Sequence, residues 1–229
     1  KEYKMDFLAL DLSLNNLIIV IGTEKKLVFN KTIKLSKDRA GILFKYLNNI
    51  KYNKKIKFTN FSIFFSTIGP GNFNGIRVSL STIKAFSLAN DKIKLSGIYT
   101  LDALCRSIPN LKTNVCTVLK ASPGYLYIQW FNNKYIPITK AKAINMEKKI
   151  TIPISINNFM LIGNGSNVFA DKLNFKGIIY KDDFITSQGL YNSARDIIFN
   201  KKYIETSPLY LRKTNITAPS LWKKSPVVK

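Results

Sequence analysis

Twice in this chain an apolar run leads straight into a glycine-bearing turn and out into a stretch of helical periodicity. The first copy is Phe61 to Phe65, then IGPGNFNG, then a helix from about Gly75 to Leu88. The second is Phe159 to Ile162, then GNGS, then a helix over Val168 to Leu173. A strand apolar on both faces needs cover on both faces, and a helix that follows it directly carries the chain over to a parallel neighbour. This unit commits the chain to a layered α/β architecture.

The flanking segments repeat as well. Phe7 to Leu10, Leu17 to Ile21 and Leu27 to Asn30 read as three strands with tight turns. Ser36 or Asp38 can cap a helix whose apolar positions are Ile42, Leu43, Tyr46, Leu47 and Ile50. After the first glycine turn and its helix come a strand at Lys94 to Ile98 and a helix opening at Thr100. The order then restarts with strands at Val115 to Leu119, Tyr125 to Phe131 and Lys134 to Ile138, and a looser helix or loop near Ala141 to Lys149. The second glycine unit precedes a short strand at Gly177 to Ile179 and a helix over Ser187 to Asn200. Two halves of β-β-β-α-β-α-β-α order follow, 1–108 and 109–212, with a lysine-rich tail at 213–229 that contains no acid.

Lys and Arg number 36 against 13 Asp and Glu, a formal charge of +23, so a polyanion is the first partner to consider. Lysine, asparagine and isoleucine are abundant throughout, which is equally what a biased proteome produces. The chain has no histidine, which removes His-based triads and His metal ligands together. Cys105 and Cys116, without CxxC spacing, read as small buried groups in a reducing compartment. No run reaches the ~20 apolar residues of a membrane span, and with no signal peptide or anchor in view a cytoplasmic location is expected. Tyr125, Tyr127, Trp130 and Phe131 alternate along one strand and are expected to pack rather than to stack on bases.

The first glycine turn puts free N–H groups and a helix N-terminus together, which suits an anion. Gly69, Gly71, Asn72, Gly75 and Arg77 are the candidate phosphate or anion loop. The stretch fails both nucleotide templates. A Walker loop needs Lys-Ser/Thr after its last glycine, where Ile76-Arg77 stands, and the dinucleotide fingerprint needs glycine where Asn74 stands. Pro70 removes one donor. On physics alone a structural turn is the stronger reading, and Arg77 is expected to pair with a carboxylate such as Asp102 or Asp11.

The stretch GPGNFNGIRVSLSTIKAFSLANDKIKLSGIYTLDAL resembles the signature of the bacterial TsaB (YeaZ) family, and FLALDLS, LIGNGSNVF and PLYLR match the family's other motifs in order over nearly the whole chain. The resemblance implies an actin-like (RNase H-like, ASKHA) fold of two duplicated halves. It implies a noncatalytic partner of TsaD, and through it of TsaE, in transfer of a threonylcarbamoyl group to adenosine 37 of tRNA, with tRNA met through the complex. It also implies that the first two helices pair with TsaD, so Ile42, Tyr46, Leu47, Leu80, Ile83 and Lys84 are the candidate partner-binding residues, with self-association through the same helices a further expectation. Where catalytic relatives of this fold oppose two acids across a cleft, this chain has Asp11 facing Lys120, an ammonium that repels a divalent cation and can pair with Asp11. No metal and no cofactor of its own are expected, leaving ATP a place only at a junction between subunits. An actin-fold enzyme or glycoprotease-like protein acting alone, and a free-standing RNA-binding module, stay open as alternatives.

Overall fold

The computed structural model describes residues 7–35, 38–53, 56–153 and 158–212; the expected basic tail lies outside them. Five strands form the first sheet: β1 (Phe7–Asp11), β2 (Asn16–Gly22), β3 (Leu27–Lys34), β4 (Ile63–Gly69) and β5 (Lys94–Tyr99). Their order is β3-β2-β1-β4-β5, antiparallel from β3 to β1 and parallel from β1 to β5. β1 is buried along its whole length because its alternate residues serve two cores. Leu8 and Leu10 pack with Leu43, Leu47 and Ile50 of α1 (Arg39–Asn53) and with Leu80 and Ile83 of α2 (Phe73–Leu88). Phe7 and Ala9 face the opposite way, into a core shared with α3 (Thr100–Cys105) and α5 (Ser187–Asn200).

The second sheet repeats the plan in smaller form. Strands β6 (Asn114–Lys120), β7 (Tyr125–Phe131), β8 (Lys142–Asn145) and β9 (Phe159–Ile162) lie in the order β8-β7-β6-β9, with α4 (Ser166–Leu173) over one face. Val115, Leu119 and Ile162 on the other face join the core that holds Phe7 and α5, so a single apolar body unites the halves. The expected two-half α/β architecture is what the chain forms.

Local expectations need three corrections. The third strand of the second half is Lys142–Asn145, within the stretch expected as helix or loop, and not Lys134 to Ile138. Pro137 lacks an N–H, and the Asn132 side chain accepts from the N–H groups of Lys134 and Ile136, which folds that stretch into a turn. The expected strand at Gly177 to Ile179 is reduced to one parallel bridge, Leu161 to Ile179, beside β9 where β5 would stand in the first half. Most consequentially, α5 follows the second half in the chain yet packs on β1, β2 and α3 of the first. The boundary at 108/109 divides the chain order, not the packing.

The aromatics of β7 are packing residues on both faces. Trp130 lies edge-on to Phe159 at 4.8 Å, and Phe131 joins the shared core. Cys105 and Cys116 are buried free thiols whose burial pushes them well above the ordinary thiol range, so they do not act as thiolates.

Candidate functional site

The first glycine turn presses against the end of β1. A Cβ at Gly71 would overlap the carbonyl of Ser13, and one at Gly75 the carbonyl of Leu12, so both positions require glycine for close backbone approach. Asn72 N donates to Ser13 O at 2.6 Å, and the Asn72 side chain caps α2 by accepting from Gly75 N at 2.8 Å. Ile76 N donates to Asn72 O. Much of what an anion would use at this helix end is already bonded within the chain. Gly69, at φ +111°, sits under the returning C-terminal segment, where Leu209 N donates to Ile68 O at 2.7 Å. Arg77 lies over the Phe73 ring, 4.6 Å from its centroid. Its expected carboxylate partners are taken elsewhere: Asp102 pairs with Arg106 at 3.0 Å, and Asp11 is enclosed by other donors.

Asp11 at the end of β1 is fully buried. Its Oδ1 accepts from Ser13 N at 2.9 Å, Ser13 Oγ at 2.5 Å and Thr67 Oγ1 at 2.7 Å, while Oδ2 has no partner. Burial raises its carboxyl above the ordinary 3.8, against the lowering effect of those hydrogen bonds and of Arg39. Arg39 is spent on the backbone, donating to Leu14 O at 2.8 Å. Lys120, at the matching end of β6, is exposed, and its backbone N–H donates to Asn164 Oδ1 at 2.8 Å. The expected Lys120 to Asp11 ion pair does not form. The hydrogen bonds at each end stay within its own half, and the Asp11 carboxyl is enclosed in protein and does not reach across the gap.

Between the halves lies a polar cleft of about 280 Å³ that includes Ser13, Asn15, Asn72, Lys120, Ser122 and Asn164. No carboxylate lines it, and among the described residues no three His, Cys, Asp or Glu side chains come together. A divalent ion carrying nucleotide phosphates asks for carboxylate oxygens on an open face, so these residues do not fit one. Across the same cleft runs the closing segment PLYLR. Tyr210 packs on Phe73 with centroids 5.7 Å apart, and Arg212 lies 3.8 Å over the Tyr125 ring and bonds Ser122, tying the first glycine turn to the second half.

The expected partner face divides. Leu80 and Ile83 are sealed in the chain's own core, and Leu47, also buried there, reaches the surface only at the floor of the groove described below. Ile42 and Tyr46 are half-buried, Tyr46 with Lys31 near its ring, and Lys84 is exposed. The surplus apolar surface sits instead on Phe44, Tyr52 and Leu88, which are 51%, 68% and 89% exposed. Phe44 and Tyr52 border a groove of about 600 Å³ floored by Leu47, Ile56, Phe58 and Phe86, with Phe58 stacked on Phe86 at 4.9 Å. Sequence reading missed this stripe although its signal was present. Positions 44, 48 and 52 are spaced as one helix stripe, adjacent to the core stripe at 43, 47 and 50.

Comparison with known proteins supplies the context for this geometry. No family model matches the chain. The tRNA threonylcarbamoyladenosine biosynthesis protein TsaB of Buchnera aphidicola subsp. Schizaphis graminum is 24% identical over 198 residues, covering 83% of this chain and 90% of that protein. The protein of the same name from Buchnera aphidicola subsp. Baizongia pistaciae is 24% identical over 181 residues, covering 75% and 82%. Among solved structures, YeaZ from Pseudomonas aeruginosa superposes with a TM-score of 0.76 at 14% identity, over 90% of this chain and 99% of that one. The chain is TsaB-like.

That likeness to the TsaB (YeaZ) family extends over both halves, and a second Pseudomonas aeruginosa structure, of a protein with similarity to peptidase YeaZ, gives a TM-score of 0.77 over 92% of this chain and all of that one. The actin-like fold expected from the TsaB motifs is the fold observed. The glycine turn of the TsaB signature, GPGNFNG, is the elbow wedged under β1, and the TsaB closing motif, PLYLR, is the strap across the cleft. Among the described residues no helix is long and apolar enough to cross a membrane.

Proposed function

We propose that this chain is a noncatalytic subunit that docks on TsaD and organises it, with TsaE, for threonylcarbamoyl transfer to tRNA adenosine. One observation carries the reading. A chain similar to named threonylcarbamoyladenosine biosynthesis proteins keeps an exposed apolar stripe on its α1–α2 face, while its own cleft is lined without a single carboxylate. Exposed aromatic clusters of this kind mark protein interfaces. The chemistry then lies in the partner, and this subunit supplies a rigid surface. Any ATP belongs to a subunit junction or to TsaE. The excess of lysine raises the local tRNA concentration around the complex.

Reconstitution with the matching TsaD and TsaE tests the proposal. Omitting this chain is expected to abolish modification, and Phe44→Glu with Tyr52→Glu is expected to abolish co-purification with TsaD while the isolated variant keeps its melting temperature. Turnover of ATP by the isolated chain, or full modification activity without it, overturns the reading in favour of an actin-fold enzyme acting alone.

A further inference from the structure

Two arginines and two open rings meet where the closing segment crosses the first glycine turn. Arg77 lies 4.6 Å from the Phe73 centroid and Tyr210 packs on the same ring at 5.7 Å, yet the rings stay 46% and 56% exposed. Ile76 and Leu209, their chain neighbours, are the residues that join the core. Two positions on, Arg212 lies 3.8 Å over Tyr125, which fixes the plane of its guanidinium. A slot of about 110 Å³ opens beside Phe73, Tyr210 and Arg212. Arg77, Arg212 and the exposed Lys120 form no ion pair among the described residues. Asp38, Glu147 and Glu205 stand on neighbouring segments, so the rings and their arginines, more than net charge, single this surface out.

We infer that this surface binds single-stranded RNA directly, with unpaired bases stacked on Phe73 and Tyr210 and phosphates met by Arg77, Lys120 and Arg212. The choice of RNA rests on the tRNA reading above; the surface belongs to this chain and needs no partner subunit to form. Aromatic rings and guanidinium planes stack any unpaired base, whereas the bases of a duplex are occupied by one another. The backbone donors of the glycine turn are largely spent within the chain, so side chains carry the phosphate contacts. The described chain ends at Arg212, on this surface, and Lys213 to Lys229 add four lysines and no acid in sequence. Phe73 opens α2 and Leu88 closes it, which puts this surface about 22 Å along the helix from the Leu88 end of the apolar stripe. RNA and a docked subunit can therefore be held together.

Fluorescence anisotropy of the full chain without TsaD tests this, with three labelled RNAs of equal length: a single strand, a duplex and an abasic strand. The single strand is expected to bind about tenfold or more tightly than the other two, and log K to fall with log salt at a slope of roughly −2 for three phosphates. Phe73→Ala with Tyr210→Ala is expected to weaken single-strand binding about tenfold or more, while Tyr210→Phe keeps it. Phe199→Ala, which removes an exposed ring on α5, leaves it unchanged. The abasic comparison uses the wild-type chain, so it decides the matter even where the double variant fails to fold. Equal affinity for the abasic and intact strands, equal affinity for duplex and single strand, a folded double variant that binds as wild type does, or no binding at about 0.05 M salt overturns the inference. Co-purification of the wild-type chain with TsaD is measured alongside: its failure removes the docking proposal and leaves the RNA result standing.

Discussion

The two halves of the molecule share one backbone plan and differ in what they place on it. Gly69 and Gly163 take the same conformation, φ +111° and +114°, at the end of β4 and just past β9; the first turn is bonded to Ser13, just past β1, and the second to Val118 of β6. At the matching ends of β1 and β6 stand Asp11, buried and triply hydrogen-bonded, and Lys120, exposed. Only the first half carries a helix like α1; among the described residues none lies between β8 and β9. The comparison teaches that two halves on one backbone plan can share the elbow that shapes a cleft while differing in the charge at matching strand ends and in the helix laid over the sheet, and that α1 brings the exposed Phe44 and Tyr52 to the first half.

The largest effect that tests this comparison comes from matched glycines. Gly71→Ala places a Cβ on the Ser13 backbone and is expected to cost about 3 kcal/mol or more in urea unfolding. Gly165→Ala meets chiefly a Val118 methyl at 2.9 Å and costs about 1 kcal/mol. Equal costs would break the claim that the first turn is wedged more tightly. Next come the strand ends. Asp11→Ala strips three donors of their acceptor and costs about 2 kcal/mol, whereas Lys120→Ala stays within about 0.5 kcal/mol.

The helix faces give a comparable effect in binding rather than stability. Phe44→Ser is expected to weaken TsaD binding by about 2 kcal/mol in a titration, and Val168→Ser, also partly exposed but on α4, leaves it unchanged. The smallest effect is in pH. Burial raises the folded carboxyl of Asp11 above 3.8, so the native state holds that proton more tightly than the unfolded chain does. Its contribution to stability is full below 3.8 and is lost as pH rises through the folded value. Wild type should therefore lose stability relative to Asp11→Asn over that window, by no more than about 1.4 kcal/mol per pH unit in chemical denaturation.

Much of the fold was legible because its signals are local. Runs such as Phe61 to Phe65 and the periodicity of α1 and α5 act within a few residues, whereas the cap at Asn72 was not read from the sequence. Lys134 to Ile138 misled because its apolar residues imitate a strand, while an Asn side chain and a proline decide the backbone. Of the candidate site, the glycine turn was found in the right place, but its hydrogen bonds turn inward. Of the residues expected to face a partner, Leu47, Leu80 and Ile83 are buried, while the exposed apolar residues of the same two helices, Phe44, Tyr52 and Leu88, lay outside the expected set.

What the sequence alone determined is most of the elements, their α/β order and the charge, since periodicity, turn chemistry and composition need no tertiary information. Only the tertiary structure decided that α5 covers the first sheet, that PLYLR straps the cleft, that Asp11 and Lys120 do not meet, and that Phe44 and Tyr52 rather than Leu80 and Ile83 face outward. The physical reason is common to all four. Each depends on which surface another part of the chain has already taken, and that competition is settled only when the layers close around a common core.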